Sequence, residues 1–169
     1  MRFWLIFICL CLFTLGACRD VPIVGNDGSG ADELKEQLIN ANRYMNQTET
    51  TQIEAYISRR GWHMTALAGG IWMETVREGG GAPLRADDTV HITYSVEDLF
   101  GTVIYAMKEE DVVVGHLKPV RGVDAALRTM CRGAEARVIV PSSQAYGVVG
   151  DGDRIGGRMT LVYKINNIQ

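Results

Sequence analysis

One phenol stands out as a group placed to do chemistry. Residues 138–147 read Val-Ile-Val-Pro-Ser-Ser-Gln-Ala-Tyr-Gly. Three β-formers are stopped by Pro141, which has no N–H for a continuing ladder, and a short polar turn then delivers Tyr146 in front of Gly147. Residues 147–157 carry five glycines and no regular period, so they read as a long irregular loop. The phenol is predicted to overhang a binding cavity built by the rest of the domain. The alternative is a buried tyrosine that only pins its loop.

The other chemistry-bearing residues compose no covalent or metal centre. The three histidines are scattered, with no pair at metal-ligand spacing, so neither a metal nor a cofactor is expected. His91 alternates with Thr89 and Thr93 on the solvent side of a strand. Of four cysteines, Cys9 and Cys11 lie in the N-terminal apolar run and Cys18 closes it. Cys131 is left without a disulfide partner. It sits at the end of a predicted helix with no base beside it, as a small buried hydrophobe would.

Residues 3–15 form an apolar run behind Arg2, too short to span a bilayer and shaped like a secretory signal over residues 1–17. Leu15-Gly16-Ala17-Cys18 resembles the bacterial lipoprotein signal, in which the cysteine is acylated. That resemblance implies a lipid anchor at Cys18, a membrane partner and a cell-envelope location on the periplasmic side. An ordinary signal with a chance cysteine is the alternative. Residues 18–30, rich in Gly, Asn, Asp and Ser, are expected to be a flexible tether.

The remaining length suits one core plus an appendage. A formal net charge of −3 and the lack of a GxxxxGK[ST] sequence argue against nucleic-acid and nucleotide partners.

The elements that must position Tyr146 follow from periodicity. Leu34, Leu38, Ala41 and Met45 share a helical face, and Thr51 with Glu54 suits a capping box before Ile53, Tyr56 and Ile57. A helical hairpin is therefore expected over residues 31–61, stopped by Gly61. Such an arm either makes a homodimer or holds clients, or it packs on its own domain. Residues 62–169 form the main domain. Residues 62–64 and 71–76 read as a hairpin. A strand over 88–99 puts Val90, Ile92, Tyr94 and Val96 inward, and short strands follow at 103–106 and 112–114. Val123, Ala126, Leu127 and Met130 commit one face of a helix over 121–131 to burial. Strands at 136–140 and 158–165 complete an α+β fold, a twisted, mostly antiparallel sheet curled around one helix.

Val90-His91-Ile92-Thr93-Tyr94, Val114-Gly115, Val120-Arg121-Gly122-Val123, Ala126-Leu127, Met130, Gly133, Ile139-Val140-Pro141, Ala145-Tyr146-Gly147 and Thr160-Leu161-Val162-Tyr163 occur in that order. This ordered set resembles the FKBP-type peptidyl-prolyl isomerases over residues 70–169. The lipid-tethered, helix-preceded arrangement resembles the FKBP-type lipoproteins of Gram-negative envelopes.

The resemblance implies an FKBP-like half-open sheet with an apolar pocket that receives proline, so proline-containing polypeptides are the expected partners. Tyr94 would line the floor, Val120 would offer its backbone N–H to a substrate carbonyl, and Val123 would replace the usual basal tryptophan. Tyr146 would donate its hydroxyl, and Ile155 and Tyr163 would form walls. The family's phenylalanine-aspartate pair aligns with Ile104-Tyr105, so the organising carboxylate is expected to be missing, with Tyr105 offering a substitute hydroxyl. Position 110, commonly an aromatic wall, is Glu110, and the flap carries Ile155-Gly156-Gly157 in place of Ile-Pro-Pro. These departures predict weaker proline binding and reduced turnover. Two functions follow: a working isomerase that assists envelope-protein folding, or a binding and chaperone module that keeps the fold without the chemistry.

Overall fold

The computed structural model describes residues 28–169. The signal over residues 1–17, Cys9, Cys11, Cys18 and the tether as far as residue 27 lie outside the described residues. The chain divides into two compact units, Met1–Ala41 and Asn42–Gln169. The second holds the whole sheet and all eight candidate pocket residues.

Helix α1 is Gly28–Arg60, a single 33-residue helix and not the expected hairpin. The tether's last three residues belong to it. No Gly or Pro interrupts residues 46–51, and Thr51, read as a cap, serves the helix from within together with Thr48 and Thr50. Thr48, Thr50 and Thr51 each donate a hydroxyl hydrogen bond to the carbonyl four residues back, at 3.0 Å. The stop falls at Gly61 as expected. Its φ of 63° lets Gly61 N–H reach the Ser58 carbonyl and Trp62 N–H reach that of Ile57, both at 3.2 Å, a Schellman ending.

Six strands form one antiparallel sheet: β1 (Thr65–Ala66), β2 (Trp72–Arg77), β3 (Thr89–Glu97), β4 (Val103–Val113), β5 (Glu135–Val140) and β6 (Leu161–Ile168). Their order is β1-β2-β5-β6-β3-β4. The first hairpin pairs Thr65–Ala66 with Met73 and Trp72, not residues 62–64. Trp62 instead turns its ring onto Tyr56, edge to face at 5.4 Å. The two short strands expected after residue 102 are one continuous β4. Its register shifts against β3 between Tyr94 and Val96 and again before Glu97, which absorbs the irregularity without a break.

Helix α2, Arg121–Leu127, lies across the sheet and ends four residues earlier than expected. Thr129 sends both its N–H and its hydroxyl to the Ala126 carbonyl, and Met130 N–H bonds Leu127, so the chain tightens and leaves the α register. The four predicted apolar positions of this segment are buried. Gly122 is required by the close approach: a Cβ there would lie 2.4 Å from Val140 Cγ1.

Val138, Ile139 and Val140 are all fully buried, as are Leu161 and Val162. Alternating strands bury one face, so these runs mean that both faces are covered. Tyr94, Val123, Leu127, Val138, Val140 and Tyr163 belong to the core on the α2 side. Ile139 and Val162 pack with Ile53 and Tyr56 of α1 behind the sheet. The expected α+β sheet wrapped on one short helix is thus formed, and α1 covers part of its other face. Burying Ile53 and Tyr56 contributes on the order of 1.5–3 kcal/mol each.

Candidate functional site

Tyr146 is carried by a turn that the sequence writes residue by residue. Pro141 ends β5, and a 3₁₀ turn, Ser142–Gln144, follows. Gln144 N–H donates to the Pro141 carbonyl at 2.9 Å, while Ala145 and Gly147 N–H both return to the Ser142 carbonyl. Gly147, at φ 64°, lets the chain turn away behind the tyrosine. The Tyr146 side chain is half-buried and packs on the α2-side core.

Tyr94, Val120, Val123, Ile155 and Tyr163 are buried in that one cluster, and Ile104, Tyr105 and Tyr146 pack against it. All eight expected site residues therefore belong to, or pack on, one core cluster. Tyr94 and Tyr163 sit with ring centroids 5.5 Å apart and planes tilted by 39°. The Tyr163 and Tyr146 hydroxyls interact with each other at the edge of this cluster. Val120, immediately before α2, has a buried side chain, and its N–H has no acceptor among the described residues.

Two carboxylates that the sequence reading did not assign to the site hold its open side. Ile104-Tyr105 brings no carboxylate to the site, but Glu110, opposite inward-facing Ile92, accepts a 2.9 Å hydrogen bond from the Tyr94 hydroxyl. Asp151 accepts the Tyr105 hydroxyl at 2.7 Å on Oδ2, and the N–H groups of Asp153 and Ile155 at 2.9 and 2.8 Å on Oδ1. Tyr105 therefore fastens the flap, with a second bond to Asp153 at 3.3 Å, and is not a free substitute hydroxyl. Arg154 donates to the Ile104 carbonyl at 3.2 Å. Lys108 and Arg154 place their cations 4.5 and 5.6 Å from the Tyr105 ring centroid. A period-2 count along β4 places Glu110 on the inner face opposite Ile92. Asp151 has no such signal, because its role arises in an irregular loop.

The electrostatics follow from these contacts. Burial pushes Tyr163 far above the ordinary tyrosine range, with the neighbouring Tyr146 and Tyr94 acting the same way. Burial raises Tyr94 too, reinforced by the bond to Glu110 and its charge. Burial raises Tyr146 against the lowering effect of the bond from Tyr163. The hydrogen bond to Asp151 pushes Tyr105 up to about 12. Asp151 is raised by desolvation, but the bonds from Tyr105 and the flap N–H groups outweigh this and hold it at about 2. At neutral pH the site thus presents neutral phenols beside an ionised Asp151.

Cys131, expected to be buried, is a partly exposed free thiol. His91 lies on the outer side, with Nδ1 2.7 Å from Asp111 Oδ1. Among the described residues no cluster of His, Cys, Asp or Glu could hold a metal ion. A separate groove of about 520 Å³ between α1, Asp98-Leu99-Phe100 and Gly157-Arg158-Met159-Thr160 contains none of the eight site residues.

The sequence model of the FKBP-type peptidyl-prolyl cis-trans isomerases matches residues 80–167. The chain belongs to this family. A probable FKBP-type 25 kDa isomerase of Pseudomonas aeruginosa is 35% identical over 100 residues, which are 59% of this chain and 44% of that protein. The probable FKBP-type isomerase FkpA of Neisseria meningitidis serogroup B is 28% identical over 104 residues, covering 60% and 38%. The chain thus spans less than half the length of these curated relatives. The crystal structure of a peptidyl-prolyl cis-trans isomerase from Pseudomonas syringae pv. tomato superposes with a TM-score of 0.62 at 27% identity, over 75% of this chain and 93% of that one. The N-terminal domain of an Arabidopsis thaliana FKBP shares the fold, with a TM-score of 0.55 at 18% identity over 63% and 92%.

Proposed function

We propose that the chain is a peptidyl-prolyl cis-trans isomerase that assists folding of proteins in the bacterial envelope, tethered to a membrane through acylated Cys18. The observation that carries this reading is the placement of the Tyr146 hydroxyl and the Val120 N–H, which has no acceptor among the described residues, against one apolar cluster. Rotation about an X–Pro bond must cross about 18–20 kcal/mol because resonance stiffens the C–N bond. The planar amide is the more polar state. As it twists it loses resonance and dipole, so an apolar site formed by Tyr94, Val123, Ile155 and Tyr163 favours the twisted form over the planar one. Tyr146 and the Val120 N–H hold the flanking carbonyls in a turn. No bond to the protein forms, and each tenfold in rate needs about 1.4 kcal/mol of differential stabilisation. Proline-limited refolding of a model protein tests this. The slow phase accelerates with the purified chain, and an unchanged slow phase would remove the proposal.

A second reading, a client-holding module, draws on exposed apolar side chains beside the phenol: Val148 and Val149 in the flap are 69% and 83% exposed. It prevails if aggregation of an unfolded client is suppressed while the refolding rate stays unchanged. For the anchor, Cys18→Ser releases the chain from the membrane fraction. Undiminished retention would contradict acylation at Cys18.

A further inference from the structure

Glu49 lies on α1, far in sequence from the sheet residues, yet its carboxylate ends on the loop that carries Tyr146. Oε1 accepts the Ser142 backbone N–H at 2.7 Å and the Thr160 hydroxyl at 2.5 Å, and Oε2 accepts the Ser142 hydroxyl at 3.3 Å. These two residues bracket the loop. Ser142 begins the turn whose carbonyl receives the N–H groups of Ala145 and Gly147, and Thr160 directly precedes β6. One carboxylate therefore ties both ends of the segment that contains Tyr146, Asp151 and Ile155. The tie is anchored behind the sheet, because Glu49, Ile53 and Tyr56 fall at i, i+4 and i+7 on one helical face, and the last two are buried against Ile139 and Val162. Three hydrogen bonds converge on this one side chain, and it is partly buried, where such bonds are less exposed to competition from water.

We infer that Glu49 is a positioning residue for the isomerase site, acting through the Tyr146 loop. This inference rests on the isomerase reading of that site. A Glu49→Ala change leaves the Ser142 N–H and the Thr160 hydroxyl without their acceptor and loosens both loop ends. The phenol then spends less time where the twisted amide needs it, so the loss falls on kcat and not on KM.

The test is a double-mutant cycle on the full chain, measured by catalysed X–Pro exchange in a short peptide. Glu49→Ala lowers kcat about tenfold with KM nearly unchanged, and Glu49→Gln, which keeps one acceptor oxygen, lowers it about threefold. On a Tyr146→Phe background Glu49→Ala costs nothing further, because its effect passes through the phenol. Full activity of Glu49→Ala, or the same tenfold loss repeated on the Tyr146→Phe background, overturns the inference. Should Glu49→Ala fail to fold, Thr160→Val reads the same tie, with about a threefold loss that also vanishes on the Tyr146→Phe background. Inactive wild-type protein would defeat the isomerase reading, not the tie. Hydrogen exchange at the Ser142 amide then decides: faster exchange in Glu49→Gln supports the tie, and unchanged exchange overturns it.

Discussion

On the α2 side of the site, Val120, Val123 and Tyr163 are held by packing inside a core with almost no exposed surface. On the flap side, Tyr105, Asp151 and Asp153 are held by hydrogen bonds among partly or fully exposed groups. Packing is cooperative and fails as a unit, whereas exposed polar contacts can break singly while the fold survives. The two sides are therefore expected to fail differently when altered. One loses stability, and the other loses geometry.

The largest effect is expected at the packed side. In Gly122→Ala the added methyl meets Val140 at 2.4 Å, which costs about 1–3 kcal/mol and lowers the melting temperature by several degrees. An unchanged melting temperature would mean that α2 is free to move off the sheet. Glu110→Ala comes next. It leaves the Tyr94 hydroxyl without its acceptor at a cost of about 1 kcal/mol, read by thermal unfolding, while Glu110→Gln restores most of it. Tyr105→Phe is smaller in stability and visible in function: the melting temperature barely moves, while kcat/KM falls about threefold as the flap loses its bond to Asp151. Equal losses of stability in Gly122→Ala and Tyr105→Phe would erase the contrast between the two sides.

The pH dependence is the mildest of these effects. Asp151 sits at about 2 in the folded chain against an ordinary 3.8, so its carboxylate form is favoured by folding. That contribution is complete above about pH 5 and is lost as pH falls through 4 toward 2. Flap mobility, followed by exchange at the Ile155 amide, rises across that window in the wild type. In Asp151→Asn the rise is absent. The raised phenols act at the other end: burial holds them neutral to above the ordinary tyrosine range, so the Tyr146 hydroxyl keeps its proton throughout the neutral range.

Most of the fold was legible because local pattern and burial coincide. Period-2 alternation gave the inward face of β3, and the i, i+3, i+4, i+7 set gave the buried face of α2. The failures have physical causes. Residues 31–61 read as two helices because threonines suit caps, but with no breaker between Met45 and Thr51 the i−4 carbonyls took their hydroxyls. Residues 103–113 read as two strands because Lys108-Glu109-Glu110-Asp111 is a polar run, although an edge strand tolerates charge on both faces. The eight expected site residues converge, since an ordered set of motifs fixes their order around the sheet. Glu110 was read as a lost wall because its value lies in a cross-strand bond to Tyr94, and Asp151 lay in a loop whose closure no period describes.

The central claim is that Tyr146 donates to an amide twisting in an apolar site. Exchange spectroscopy on a short X–Pro peptide, with catalytic amounts of wild-type and Tyr146→Phe protein, tests it most directly. The account predicts cis-trans exchange accelerated by the wild type and reduced about tenfold by Tyr146→Phe, with the melting temperature retained. Exchange that the wild type leaves at the uncatalysed rate, or that Tyr146→Phe accelerates equally well, would contradict it.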